Sequence, residues 1–387
     1  MSEAHSDTPS ELRDLHEIVA ALDIDSETSY RVHQQPYTTR PLREKDRDRS
    51  RGASPHGPPA PSGSPLVDEL AQVLYAQFYT RSSSAPQAHD ELADRTLVAA
   101  LSAANSGKGT WEPGWVIQGE AEEGRIPVRK DGLTLWVTSE QLRSRGASTR
   151  PGTRCRIRIG KELREMMSGF YIAIGNGDER DEQDEEDRLV RLYFHISPQG
   201  APALIAAITN TLNRAQIAFR AKVLNHHSGY PRADAGVLYL DRRNHLRAAP
   251  LLPSIYEQVR AHLGSTEPRF TKRLAPGLGL AEDPGTEESF GQHRCRLVAE
   301  GLWAAYKAGQ RTPEERLAAV CATLERAGLA PKRPYLQPGS VDDYAPIEPG
   351  EPGGPQPARA PSAGPGAHAQ SARPRPSARQ SVKRRKR

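Results

Sequence analysis

Residues 188–197 read RLVRLYFHIS, and the fold turns on this stretch. Val190, Leu192, Phe194 and Ile196 alternate with Arg191, Tyr193 and His195, which is the two-residue period of a strand with one apolar and one polar face. Pro202 then opens a helix with Leu204, Ile208 and Leu212 on one stripe. IAFRAKVL is a second strand, with Ile217, Phe219, Ala221 and Val223 on one face and Arg220 and Lys222 on the other. GVLYL at 236–240 is a third.

Helices with clear punctuation follow. The run from Ser254 to Leu263 stops at Gly264, Ser289 pairs with Gln292 in a capping box, and Thr312, Pro313 and Glu315 open a helix that ends at Gly328. Upstream, 66–78 and 92–104 have helical stripes. Between them and the first strand lies a strand-and-turn region ending in RCRIRI, where Arg154, Arg156 and Arg158 alternate with Cys155, Ile157 and Ile159. The pattern predicts an α+β protein, a central and mainly antiparallel sheet flanked by helices, with disordered N- and C-terminal extensions.

Four regions are expected. Residues 1–65 form an N-terminal extension, with a short isolated helix at Ser10–Leu22 and a Pro/Gly/Ser-rich linker from Arg40 to Pro65. Residues 66–145 form a helical and small β part, 146–334 the main α+β domain, and 335–387 a disordered basic Pro/Ala/Arg tail ending in KRRKR. With 32 glycines, 33 prolines and only 36% hydrophobic residues, one uniform globule is disfavoured.

The net charge of +5 divides unevenly. Residues 1–65 hold 8 basic and 11 acidic side chains, and 335–387 hold 9 and 4, which leaves +3 for 66–334. That central span includes DERDEQDEED at 178–187, with eight acids and Arg180, so the remainder of it carries +10. Such an excess suits an anionic substrate. The polar N-terminus lacks an export signal's apolar core and no apolar run approaches ~18 residues, so a soluble cytoplasmic protein without a membrane partner is expected. Cys155, Cys295 and Cys321 are odd in number and widely spaced, which argues for reduced, packed thiols.

Most familiar site chemistries are excluded by spacing. SGKGT at 106–110 lacks the upstream glycine of a phosphate loop, and neither GxSxG nor HExxH occurs. His226 and His227 are adjacent and would point apart on a strand, and no metal is expected. What remains is Arg191 and His195 on one polar face and Arg220 and Lys222 on another. They are either surface side chains or, if the faces converge under a second layer, a pocket whose charges need an anion or acidic partners. The second arrangement suits β-elimination from phosphorylated Ser or Thr. A base takes the Cα proton, an acid assists the leaving phosphate, cations hold the dianion, and no cofactor is needed.

The series RLYFHIS, LNRAQIAFRAKVL, YPRADAGVLYLDRR, FTKRLAPGLGLAEDP and SFGQHRCRLVAEGL resembles the HopA-type family of type III secretion effectors and its relatives in natural-product gene clusters, from about Leu66 to Leu329. That family is distantly similar to phosphothreonine lyases. The resemblance implies His195 as acid, Lys222 as base, and Arg220 and Arg232 as phosphate ligands, with Arg191, Lys272 and Arg294 as further cations in the motifs. It also implies work beside an aminoglycoside-phosphotransferase-like kinase in lanthipeptide or thioamitide biosynthesis, where a phosphorylated precursor peptide loses phosphate to give dehydroalanine or dehydrobutyrine. A non-catalytic subunit that binds the peptide or the kinase is the competing expectation. Nucleic-acid binding through KRRKR is disfavoured, because no aromatics are interleaved with the basic run.

Overall fold

The computed structural model describes residues 10–39, 64–82, 93–130, 132–164, 167–177 and 188–347. The linker from 40 to 63, the acidic run at 178–187 and the chain from 348 onward lie outside the described residues. Helix α1 (Ser10–Ala21) leads into an antiparallel meander of β1 (Leu22–Ser26), β2 (Ser29–Val32) and β3 (Gln35–Thr38). The helix is not isolated, as its sequence alone suggested. Leu15, Ile18, Val19 and Leu22 are fully buried within the main hydrophobic core, so this part of the N-terminal extension is ordered.

Helix α2 (Pro65–Val73) widens into a π-helical turn over Leu74–Tyr79, and α3 (Arg95–Ala104) starts where Asp94 accepts hydrogen bonds from the Thr96 and Leu97 amides. Five strands then form one antiparallel sheet. They are β4 (Thr110–Ile117), β5 (Arg125–Lys130), β6 (Leu133–Thr138), β7 (Leu142–Ser144) and β8 (Arg154–Ile159), in the order β6-β5-β4-β8-β7. A boundary at 145/146 therefore cuts through this sheet, because β8 pairs with both β4 and β7. Its own small core holds Trp115, Ile117, Ile126, Val128, Val137, Cys155 and Ile157.

The remaining strands make the central sheet. They are β9 (Glu162–Leu163), β10 (Phe170–Ile174), β11 (Leu189–Phe194), β12 (Arg220–Leu224), β13 (Gly236–Asp241), β14 (Lys272–Ala275) and β15 (Leu278–Glu282). Their order is β14-β15-β11-β13-β12-β10-β9, and every pairing is antiparallel. Helix α4 (Ala201–Arg214) carries the chain from β11 to β12, and β13 inserts between those two strands. Helices α5 (Arg242–Ala248) and α6 (Leu252–Val259) precede β14, and α7 (Phe290–Lys307) and α8 (Pro313–Arg326) follow β15. The capping boxes at Ser289/Gln292 and Thr312/Glu315 form as their sequences predict.

Both faces of the sheet are covered. Val190, Leu192, Phe194 and Ile196 are at most 1% exposed on the side of α4, each worth about 1.5–3 kcal/mol of burial. A Cβ on Gly236 would come within 2.9 Å of Leu204, which fixes how closely α4 lies on β13. On the opposite face Arg191 and Tyr193 are also buried, because Tyr79 and Phe290 pack over Tyr193 with ring centroids 6.4 and 6.3 Å away. Gly291 is required there, since a Cβ would sit 2.4 Å from the Tyr79 ring.

The presumed tail from residue 335 begins as a packed strap. Tyr335, Leu336, Tyr344 and Ile347 are buried, and the Ile347 amide bonds to the Leu274 carbonyl at 2.8 Å. The buried Glu282 carboxylate organises this strap by accepting from the Gln337 amide and the Tyr344 hydroxyl, each at 2.8 Å, and from Ser340. A chain ending at Pro334 is expected to be about 3–5 kcal/mol less stable in urea unfolding than one ending at Ile347, since it loses the buried Tyr335, Leu336, Tyr344 and Ile347 and the strap's hydrogen bonds to Glu282. His245 packs against Tyr344, and burial together with nearby Arg242 lowers its pKa from 6.5 to about 4. Between those values the unfolded chain binds a proton that the folded chain refuses, so stability should fall as pH drops from 6.5 towards 4. A His245→Gln variant should lose less stability between pH 7 and pH 5, read from urea midpoints.

Candidate functional site

The polar face of the central sheet gathers the candidate residues in rows set by strand register. Arg191, Tyr239, Arg220 and Ile174 form one row across β11, β13, β12 and β10. Tyr193, Val237, Lys222 and Ile172 form the next. The Lys222 ammonium lies 4.6 Å from the centroid of the Phe170 ring and 5.5 Å from that of Tyr239. Among the described residues it makes no hydrogen bond or ion pair, although the Asp234 carboxylate is close enough to feel its charge.

The other cations on this face are all held by carboxylates. Arg232 donates from Nε and Nη2 to Asp234, the second at 2.8 Å, and from Nη2 to the Tyr75 hydroxyl at 3.0 Å. Burial works against charge on both partners, yet their mutual attraction raises the Arg232 pKa and lowers that of Asp234. Arg191 donates from Nε to Asp283 at 2.6 Å. Burial opposes its charge too, while the Asp283 carboxylate favours it, and the Arg191 pKa is raised. Arg220 reaches across to the five-stranded sheet and donates to Glu112 at 2.6 Å, which Lys130 also meets at 3.2 Å. Those two cations overcome burial and hold the Glu112 pKa below its ordinary value. Tyr75, Tyr79 and Tyr193 are raised by burial, so all three remain phenols at neutral pH.

Two of the weaker candidates belong elsewhere. Lys272 bonds to Asp342 at 2.7 Å, and Arg294 is fully buried with its guanidinium on the Pro334 and Leu336 carbonyls at 2.7 and 3.1 Å. Burial pulls the Arg294 pKa down to about 10, which still leaves it charged at neutral pH. Both fasten the C-terminal strap.

His195 follows the end of β11, two residues beyond the Lys222 row and two strands away from it. At ~4.8 Å between strands and ~3.3 Å per residue, the two Cα atoms are about 12 Å apart. Its Nδ1 faces the Thr266 carbonyl at 2.8 Å. A carbonyl only accepts, so Nδ1 carries the hydrogen and Nε2 is left as the exchangeable position. Gly264 makes room for the ring, as a Cβ would lie 2.4 Å from Nδ1.

The sheet thus brings Lys222, Arg232 and Arg191 into one neighbourhood around Tyr239 and Asp234, turns Arg220 outward, and keeps His195 at a distance. Sequence reasoning passed over Tyr75, Asp234, Tyr239, Asp283 and Glu112. Asp234 follows Arg232 in the RAD triplet and was the most visible of these, whereas Tyr75 was hidden in a helical apolar stripe. His226 and His227 turn to different partners, Ser228 and Asp94, and the described residues contain no His/Cys/Asp/Glu group suited to a metal ion. No described helix is long and apolar enough to cross a membrane.

The fold and site are those of an antiparallel α+β protein with a cation- and tyrosine-rich layer on one sheet face. Residues 163–336 match the model of the HopA1 effector protein family, a span that contains all seven candidate residues and begins after the five-stranded sheet. Similar solved structures include the effector protein from Pseudomonas syringae pv. tomato strain DC3000, at 17% identity over 69% of this chain and 90% of that one with a TM-score of 0.40. The effector protein from Pseudomonas syringae pv. syringae strain 61 is similar at 16% identity over 69% and 88%, with a TM-score of 0.38. None of the curated proteins compared with the chain matches it.

Arg232 and Asp234 should behave as a unit. Asp234→Ala leaves a largely buried guanidinium unpaired and should cost about 3–5 kcal/mol in urea unfolding, whereas the double change Arg232→Met with Asp234→Leu should recover most of that loss.

Proposed function

We propose that the protein is a phospho-Ser/Thr lyase that removes phosphate from a phosphorylated precursor peptide. The observation that carries this reading is the state of Lys222. Of the candidate cations it alone has no hydrogen-bonding or ion-pairing partner among the described residues, and two aromatic rings wall it in. A base must have a free lone pair, and the neighbouring guanidinium groups are all occupied in holding carboxylates.

In the reaction the neutral Lys222 amine takes the Cα proton of the phosphorylated residue, and those electrons form the Cα–Cβ double bond as the Cβ–O bond breaks. Arg232 receives the departing phosphate through Nη1, which has no partner among the described residues, and its Asp234 and Tyr75 bonds hold the fork in place. His195, with Nδ1 committed to Thr266, would supply a proton from Nε2. The products are inorganic phosphate and a dehydroalanine or dehydrobutyrine residue. The family resemblance supports an aminoglycoside-phosphotransferase-like kinase as the source of the phosphopeptide, in lanthipeptide- or thioamitide-type biosynthesis.

One observation favours a second reading. The roughly two-strand gap between His195 and Lys222 suits a subunit that binds a phosphopeptide or its kinase without chemistry. Incubation with a phosphothreonyl precursor peptide separates the two. Lysis gives a product one water lighter than the unphosphorylated peptide by mass spectrometry. Lys222→Ala and Lys222→Arg should both abolish it, since a guanidinium cannot act as base, and His195→Asn should slow it by about 10²–10⁴-fold. Unchanged mass with the wild-type protein would overturn the lyase reading in favour of the binding subunit, and unchanged rates in both Lys222 variants would overturn the assignment of Lys222 as the base.

A further inference from the structure

A pocket of about 250 Å³ opens between the two larger sheets, lined by Trp115 of β4, Leu133 and Leu135 of β6, Ile159 of β8, Leu163 of β9 and Ile174 of β10. Thr110, Glu112 and Arg220 complete its wall. Its size falls below the ~300–1,000 Å³ of sites that take a whole drug-sized ligand, which suits it to a single side chain.

Its position relative to Lys222 says whose side chain. Ile174 and Arg220 are direct partners in the register, and Ile172 and Lys222 are the next same-face pair along the same two strands. The pocket is therefore one row from the lysine, a step of about 6.6 Å. An extended peptide advances by the same step between side chains that point the same way, namely every second residue. A peptide lying along β12 with its phosphorylated residue at Lys222 delivers the side chain two positions away into this pocket. Most of the lining is apolar, and the one carboxylate, Glu112, is already engaged by Arg220, Lys130 and the Trp115 indole at 3.2 Å. That carboxylate is therefore not left to meet a cationic side chain.

We infer that this pocket is a specificity subsite for an apolar residue, such as Leu, two positions from the phosphorylated Ser or Thr. The inference rests on the lyase reading, because that reading places the phosphorylated residue at Lys222. It gives the five-stranded sheet a role, since β4, β6 and β8 supply most of the pocket wall while lying before the family-matched span.

The test uses phosphothreonyl peptides that carry Leu or Gly two residues before or after the phosphorylated position. The full chain is compared with Leu135→Trp, which fills the pocket, and with Leu133→Trp at its 42%-exposed rim, where folding is less at risk. At one of the two positions the wild type should prefer Leu by at least about tenfold in kcat/KM, and the Trp variants should lose that preference while keeping their rate on the Gly peptide. Equal rates for Leu and Gly at both positions, or an equal loss on both peptides in both variants, would overturn the subsite and leave the lyase reading standing. Should the wild type release no phosphate from any of the peptides, the lyase reading falls, and fluorescence anisotropy with the same labelled peptides decides the pocket alone. A Leu preference that the Trp variants lose supports it, and equal or absent binding overturns it.

Discussion

The contact between Arg191 and Asp283 constrains everything around it. A guanidinium in the middle of a central strand, 2% exposed, would be intolerable without a carboxylate within reach, and Asp283 stands just past the end of the neighbouring β15. Once that charge is matched, the polar side of the sheet can be roofed by Tyr79 and Phe290 instead of being left in water. The same solution recurs outward along the face, with Asp234 for Arg232 and Glu112 for Arg220. Lys222 departs from this pattern, with aromatic rings rather than a carboxylate beside its ammonium.

Much of the fold was legible in the sequence because the signals for it are local. The alternation in RLVRLYFHIS, the proline in the first turn of α4 and the two capping boxes each depend on residues within a few positions of one another; the helices formed where the pattern placed them, and the strand formed over Leu189–Phe194, ending before His195. Pairings across the chain were not legible. Asp283 lies 92 residues from Arg191 and Glu112 lies 108 from Arg220, and no periodicity links such positions. The same limit explains why α1 looked isolated: its apolar stripe was plain, but the surface that receives it is built by α8 some 300 residues later.

The candidate site was read less well than the fold, for a physical reason. Residue type identified the cations, but whether a cation can hold phosphate depends on what already holds the cation. Arg294 and Lys272 have the right charge and sit in the right motifs, yet both are fastened to the C-terminal strap. Arg232 has a partner too, but its carboxylate and phenol bonds leave one arm of the fork available. What already holds each cation, more than its charge, separates Arg232, with an arm to spare, from Lys272 and Arg294, which are fastened to the strap.

The strap also bears on how the protein comes into being. Residues 335–347 settle onto β14 and Glu282, and Arg316 of α8 bonds to the Leu22 carbonyl at the end of α1. A ribosome releases the N-terminal helix long before either receiving surface exists. The apolar side of α1 is not covered by α8 until residues 313–326 have emerged, and the strap does not close on β14 before residue 347 has done so. Nascent chains stalled before α8 would therefore expose the apolar side of α1 to chaperones or to one another.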